Sequence, residues 1–459
     1  MPRPHFLALA ALAACSAPDP APAQPAPGGE NLPDPATFWV EQASAHFYNA
    51  PLRLAWERPL GDWVDAAGVR HGARAFASAR LRSEGAHDID VTDLVRAHGG
   101  DFRVVGRLAD VASRESGAAG PLLIVERGGQ TLGYPSAADV GMDASTHDSL
   151  AAAPSMKLAD GFFLRFGQPA DPAIDRAILR LQVTKVWSGG DDVPTRIFRP
   201  DPRPAPSAMP AVPLGSAADI VLRIDGAAWR KGRGWAESAA HARVASDGSL
   251  TAWIAPGSDT ALSTIYPIPP SARRDLMCLR VEMTVHPDWT ATWGGKFPGL
   301  ANTGQGDEAP DQAGWGGRGA DGTRWSARTN RYGYDPASPF RDHWLALGTY
   351  AYRVNAETSH GDAVPLALAV PKGRRFAYDQ CVGLNRPGAA DGFVAYWIDG
   401  KPAGALRNVA WRAHGGAETL PSEIWADVYE GGTGYDAVPH GRHTMTLHAL
   451  TLSTARLPF

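Results

Sequence analysis

The chain has 459 residues and a formal net charge of −4, which allows two or three domains with real cores and argues against a nucleic-acid partner. A mildly acidic protein still binds a polyanion where a groove is locally basic. Glycine (50) and proline (39) are abundant, as expected of many short strands joined by turns, and the 15 tryptophans suit either a packed core or exposed faces for sugar rings.

Arg3 precedes the apolar run Phe6-Leu7-Ala8-Leu9-Ala10-Ala11-Leu12-Ala13-Ala14, and then comes Cys15. The run is too short to span a membrane, so residues 1–14 read as a signal peptide. Leu12-Ala13-Ala14-Cys15 resembles a bacterial lipobox. That resemblance implies an exported protein, lipidated on Cys15 and held at the membrane; Ser16 in place of Asp favours the outer membrane. Ordinary cleavage to a soluble periplasmic product is the alternative. Residues 15–37 read as a Pro/Ala-rich tether. Export makes a Cys278–Cys381 disulfide possible, and two buried free thiols fit the sequence equally.

From residue 38 to 198 the pattern is strands and turns. Strands are expected at Leu52–Trp56, Phe102–Gly106, Leu122–Val125, Phe162–Phe166 and Ala177–Val183, with one short helix beginning near Asp93. This density of strands predicts a β-sandwich. Asp90-Val91-Thr92-Asp93-Leu94, Ala112-Ser113-Arg114-Glu115 and Phe163-Leu164-Arg165-Phe166 resemble phrases of DNRLRE-type carbohydrate-binding modules, in a different order. The resemblance implies a glycan-binding module; a spacer that binds nothing is the alternative. Ser113, His147 and Asp148 lack the Gly-x-Ser-x-Gly elbow of a hydrolase triad. Residues 199–213 alternate proline with other residues and form a semi-rigid linker.

Residues 214–459 hold further strands, among them Ile220–Ile224, Leu250–Ile254, Leu279–Val285, Phe393–Ile398, Ile424–Tyr429 and Thr444–Leu450, with Asp399-Gly400 as a hairpin turn. Two stacked antiparallel sheets fit this layout. The chemistry concentrates between Trp293 and Val354. Side chains at i and i+2 of a strand share a face, so Ser326 pairs with Arg328 and Tyr350 with Tyr352, while Trp325 and Ala327 turn to the other side. A Lys, an Arg, a Ser and two Tyr, with no evident metal ligands and no carboxylate pair, suit proton abstraction beside a carboxylate and argue against a standard glycosidase.

Gly294-Gly295-Lys296-Phe297-Pro298-Gly299-Leu300, Trp325-Ser326-Ala327-Arg328 and Tyr350-Ala351-Tyr352 occur in the order of polysaccharide lyase family 14. The resemblance continues through Cys381-Val382-Gly383-Leu384-Asn385, Trp397-Ile398-Asp399-Gly400 and Tyr429-Glu430-Gly431-Gly432, and covers roughly residues 215–459. It implies an all-β chain whose second half is a concanavalin-like β-jelly roll. It also implies cleavage of alginate (polymannuronate) or a related β-linked polyuronate by β-elimination, without cofactor or metal and as a monomer. By the same resemblance Lys296 neutralises the substrate carboxylate or acts as base, and Arg328 clamps that carboxylate. Ser326 orients substrate or Lys296, and Tyr350 and Tyr352 supply base and acid in either order. Trp293, Asn302, Trp325, Asn330 and His343 are the accompanying substrate-binding candidates. The stretch between Arg328 and Tyr350 is longer than in the family, and Tyr332 and Tyr334 within it share the i, i+2 spacing. Asp335-Pro336 favours a loop there, so the later pair is preferred. His286 is expected to be structural, and Asp307, Glu308 and Asp311 to form a solvated acidic loop. A surface glycan-binding lipoprotein without catalysis and a cell-envelope structural protein are the competing readings.

Overall fold

The computed structural model describes residues 42–50, 52–56, 58, 60–143, 145, 149–187, 193–201, 209–290, 294–303, 322–333, 340–354, 361–431 and 441–459. Cys15, the tether, His147, Asp148, Trp293, Asp307, Glu308, Asp311 and Tyr334 lie outside them. In strand Arg176–Val186, residues Ala177, Leu179, Leu181 and Val183 are buried at every second position, the period of a strand with one face in a core. This strand pairs with Gly85–Asp90, Ala109–Ala112 and Leu122–Arg127 in a six-stranded antiparallel sheet. A second six-stranded sheet is built around Asp101–Val105, between Phe162–Arg165 and Thr195–Pro200. Phe102, Val104, Phe162 and Ile197 of one sheet share a core with Leu123, Leu179 and Leu181 of the other. The short helix forms at Thr92–His98.

The second half stacks an eight-stranded sheet on a six-stranded one, all antiparallel, as a jelly-roll sandwich. The six-stranded sheet runs Thr260–Pro267, Glu423–Glu430, Gly295–Asn302, Trp325–Arg331, Trp344–Tyr352 and Asp362–Pro371 in spatial order. Trp229, Trp289, Trp325 and Trp411 are fully buried between the sheets, so these tryptophans serve the core. Asp399 and Gly400 both have positive φ (48° and 75°), as a tight two-residue hairpin requires. Asp399 also caps the turn by accepting the Ala377 N–H.

Cys278 and Cys381 face each other across paired strands and form a disulfide. The bond sits under Met209 and Val212, which follow the undescribed residues 202–208, and beside Ala395 and Trp397. Strand Thr195–Pro200 extends into the stretch expected to be linker. The bridge spans 103 residues of chain, so it removes considerable freedom from the unfolded state. Replacing both cysteines by serine is expected to lower unfolding stability by about 2–4 kcal/mol, read as a lower denaturant midpoint. An unchanged midpoint would show that the paired strands alone hold this edge.

Arg53 interrupts the strand expected at Leu52–Trp56, because its φ of 54° lies in the left-handed region; only Leu54–Ala55 pairs as strand. Leu52, Leu54 and Trp56 nevertheless point into one cluster with Val140, Met142 and Phe163 of the first sandwich and Phe340 of the second. Trp56 stacks on Phe163 at 5.1 Å, and Trp344 and Ala369 flank the cluster from the second half.

Candidate active site

The six-stranded sheet of the second half carries the site on the face turned away from the shared core. Its strand Gly295–Asn302 contains an extra residue: Phe297 opposes Thr329, but Gly299 opposes Arg328, leaving Pro298 as a β-bulge. Proline fits there because it has no N–H to leave unpaired. The bulge lets both Phe297 and Leu300, three apart, turn into the core while Lys296 turns to the outer face. The interrupted ladder is repaired from the facing sheet. Tyr378 Oη donates to the Pro298 carbonyl at 2.7 Å, and Gln380 accepts the Leu300 N–H and donates to the Ala327 carbonyl, both at 2.9 Å. Gly299 is required by crowding: a Cβ there would stand 2.1 Å from the Ala327 oxygen.

The register brings the separated motifs together. Lys296 lies opposite Asn330 on one side and Tyr429 on the other. Arg328 lies opposite Tyr350, and Ser326 opposite Tyr352. The Lys296 ammonium is 4.4 Å from the Tyr350 ring centroid and 4.9 Å from that of Tyr429. Tyr350 and Tyr352 meet edge to face at 5.3 Å. The Arg328 guanidinium lies 4.3 Å above Trp425 and donates through Nη1 to Asp427 at 2.9 Å. Its Nε has no hydrogen-bond partner among the described residues.

The electrostatics favour a reactive lysine. Burial, reinforced by the charges of Arg328 and Arg331 and opposed by Asp427, pushes Lys296 down to about 8. Burial and the hydrogen bond with Tyr350 push Tyr352 well above the usual phenol value, so it keeps its proton. Tyr352 is buried and Tyr350 only half-buried, so Tyr350 is the more accessible of the two. Burial also raises Asp427 above the ordinary carboxylate value, against the pull of Arg328 and Lys296.

Several sequence expectations change. The groove contains one carboxylate, Asp427, which is no carboxylate pair, and Arg328 is paired with it rather than standing as an unengaged clamp. Trp325 is fully buried, donates to the Thr419 carbonyl and packs on Trp411, so it belongs to the core. Asn302 is 1% exposed and ties down backbone carbonyls of Thr323 and Glu418. His343 is exposed in the turn just before strand Trp344–Tyr352, at the end away from Tyr350 and about 20 Å from it at ~3.3 Å per residue. Ser326 lies about 13 Å along its strand from the residue opposite Lys296, too far to orient that lysine; its buried Oγ has no hydrogen-bond partner among the described residues. Asn330 stays on the groove face next to Lys296. His286 bonds Thr446 away from the groove. Sequence reasoning missed Trp425, Asp427 and Tyr429; their i, i+2 spacing in a recognised strand was the available signal.

At the outer edge of this sheet a pocket of about 500 Å³ is lined by Arg233, His241, Ser263 and Ile265. Ser263 lies opposite Asp427 in the ladder and receives the Trp425 indole N–H at 3.3 Å, so the pocket adjoins the groove. Among the described residues, no three His, Cys, Asp or Glu side chains gather as a metal-binding group.

No protein-family model matches the chain. No curated protein matches it either. Among solved structures it is similar to the alginate lyase Aly36B, with a TM-score of 0.39 and 18% identity over 52% of this chain and 100% of that one. It is similar to the PL-14 alginate lyase from Aplysia kurodai, with a TM-score of 0.38 and 15% identity over 51% of this chain and 99% of that one. It is also similar to the endo-β-1,4-glucuronan lyase from Trichoderma reesei, with a TM-score of 0.28 and 12% identity over 45% and 80% of the two chains.

Proposed function

We propose that the chain is a polysaccharide lyase that cleaves alginate or a related β-linked polyuronate by β-elimination. The observation that carries this reading is the position of Lys296: its ammonium is buried between two tyrosine rings, beside a second cation, with its proton affinity lowered to about 8. A buried lysine near neutrality is suited to taking a carbon-bound proton. Neutral Lys296 removes the C5 proton of a uronate. The electron pair left behind forms the C4–C5 double bond as the C4–O4 bond breaks. Charge that develops on the carboxylate is stabilised by the guanidinium of Arg328, held in place by its pair with Asp427. Tyr350 gives its proton to the departing O4 and recovers one from the Lys296 ammonium. Tyr352, buried behind it and kept protonated, orients the Tyr350 hydroxyl.

The Cys278–Cys381 disulfide agrees with the exported location implied by the Leu12–Cys15 segment. The test is ultraviolet absorbance of the unsaturated uronate product, with polymannuronate, polyguluronate and polyglucuronate offered separately. A rise with one polymer is the expected result and identifies the substrate. Retardation in a polyuronate gel without any rise would replace the lyase reading with glycan binding alone.

A further inference from the structure

We propose that the first half of the chain completes one end of this groove, with Arg53 binding the carboxylate of a uronate residue beyond the cleaved linkage. The proposal rests on the polyuronate reading above and extends it to a residue outside the jelly roll.

A row of opposed positions crosses the sheet from Tyr429 through Lys296, Asn330 and Gly348 to Pro365. Gly348 has no side chain, and Tyr332 fills its place: a Cβ on Gly348 would lie 2.9 Å from the Tyr332 ring and hydroxyl. The Tyr332 hydroxyl is buried and has no hydrogen-bond partner among the described residues. Tyr332 therefore fills the space over Gly348, between Asn330 and the edge strand.

The next strand outward, Asp362–Pro371, is the edge of the sheet, and it is covered by the first half. The Tyr332 N–H bonds the Ala346 carbonyl, Ala346 opposes Ala369, and Ala369 packs on the cluster of Leu52, Leu54 and Trp56. Those three side chains are buried, whereas Arg53 between them is only half-buried. Its left-handed backbone is held by a bond from its N–H to the Ala50 carbonyl at 3.1 Å. The guanidinium rests near the Phe47 ring, 5.4 Å from its centroid, and its charge acts on the Tyr332 hydroxyl. No carboxylate pairs with it among the described residues. With strands about 4.8 Å apart, the edge strand that the Arg53 segment covers is three spacings, about 14 Å, from the strand of Lys296, so Arg53 is clear of the reacting bond.

A planar guanidinium held in this way matches a carboxylate in a two-point contact. A polymer crossing the strands over Lys296 would place a further uronate there. The jelly-roll cations that flank that edge are engaged: Arg353 pairs with Asp362, and Lys372 donates to the carbonyls of Trp289 and Arg341.

Arg53→Asn is the test, because asparagine tolerates the left-handed backbone and removes the charge. Arg53→Lys keeps the charge. On the cleaved polyuronate, Arg53→Asn is expected to raise KM about tenfold, with a smaller change in kcat, and Arg53→Lys to recover most of the loss. Equal KM in wild type and Arg53→Asn would overturn the proposal, as would equal losses in both variants, which would mark a structural role. If the wild-type protein is retarded by polyuronate but does not cleave it, the lyase reading fails separately. Weaker retardation of Arg53→Asn would then still support the Arg53 site, and equal retardation would overturn it. A wild type that neither cleaves nor binds any polyuronate would overturn both.

Discussion

Lys296→Ala is expected to lower kcat/KM on the cleaved polymer by about a thousandfold and to remove the pH dependence centred near 8. Loss of a positioned general base costs roughly 10²–10⁴-fold. The pH behaviour follows from the lysine being pushed down to about 8 by burial and by Arg328. The base must be neutral to accept a proton. In the wild type, kcat/KM therefore falls about tenfold per pH unit below 8 and levels off above it. Were Lys296 needed as a cation to neutralise substrate, the same titration would appear with the opposite sign, as activity lost above pH 8. A kcat/KM profile from pH 6 to 10 separates these two roles, which the residue type leaves open.

The second large effect is expected from Asp427→Asn. Asp427 and Arg328 have side chains only 6% and 7% exposed. Removing one partner of a buried pair leaves the other charge uncompensated, at a cost of about 3–5 kcal/mol. Arg328 would then face Lys296 with no carboxylate between them. The variant should unfold at clearly lower denaturant than the wild type. It should also move the pH profile. Asp427 is the charge that holds the Lys296 value up, against burial and Arg328. Neutralising it drops Lys296 further, so the limb near pH 8 shifts toward acid. An unshifted limb would mean that the titrating group is not Lys296, whatever the effect on stability.

The strands of both sandwiches were legible because alternating burial leaves a period of two, as in Arg176–Val186. The shared face of Arg328 and Ser326, and of Tyr350 and Tyr352, followed from the same parity. Asp427 and Tyr429 were not placed, because nothing local states that Glu423–Glu430 lies beside Gly295–Asn302. That adjacency is a fact of topology, set by the whole sheet. Trp325 illustrates a different miss: its parity already put it opposite Ser326, and the large aromatic drew a sugar-binding role that the core had claimed. The Pro298 bulge had a signal too, since a proline inside a strand marks an edge or a bulge, but its direction depends on Tyr378 and Gln380 eighty residues away.

The cluster that joins the two halves limits how this chain can be rearranged. Phe340 is completely buried among Leu52, Leu54, Trp56 and Phe163, side chains that all come from the first sandwich. A descendant that lost its first sandwich, or exchanged it for an unrelated one, would present Phe340, Trp344 and Ala369 to water as an adhesive patch. Recombination at the Pro-rich stretch around residue 205 therefore does not yield a ready-made domain. It yields a jelly roll that must first acquire polar substitutions at these positions, or a new neighbour with a matching apolar ridge. The two sandwiches are expected to have been inherited as a pair, with changes at Leu54 and Trp56 answered by changes at Phe340.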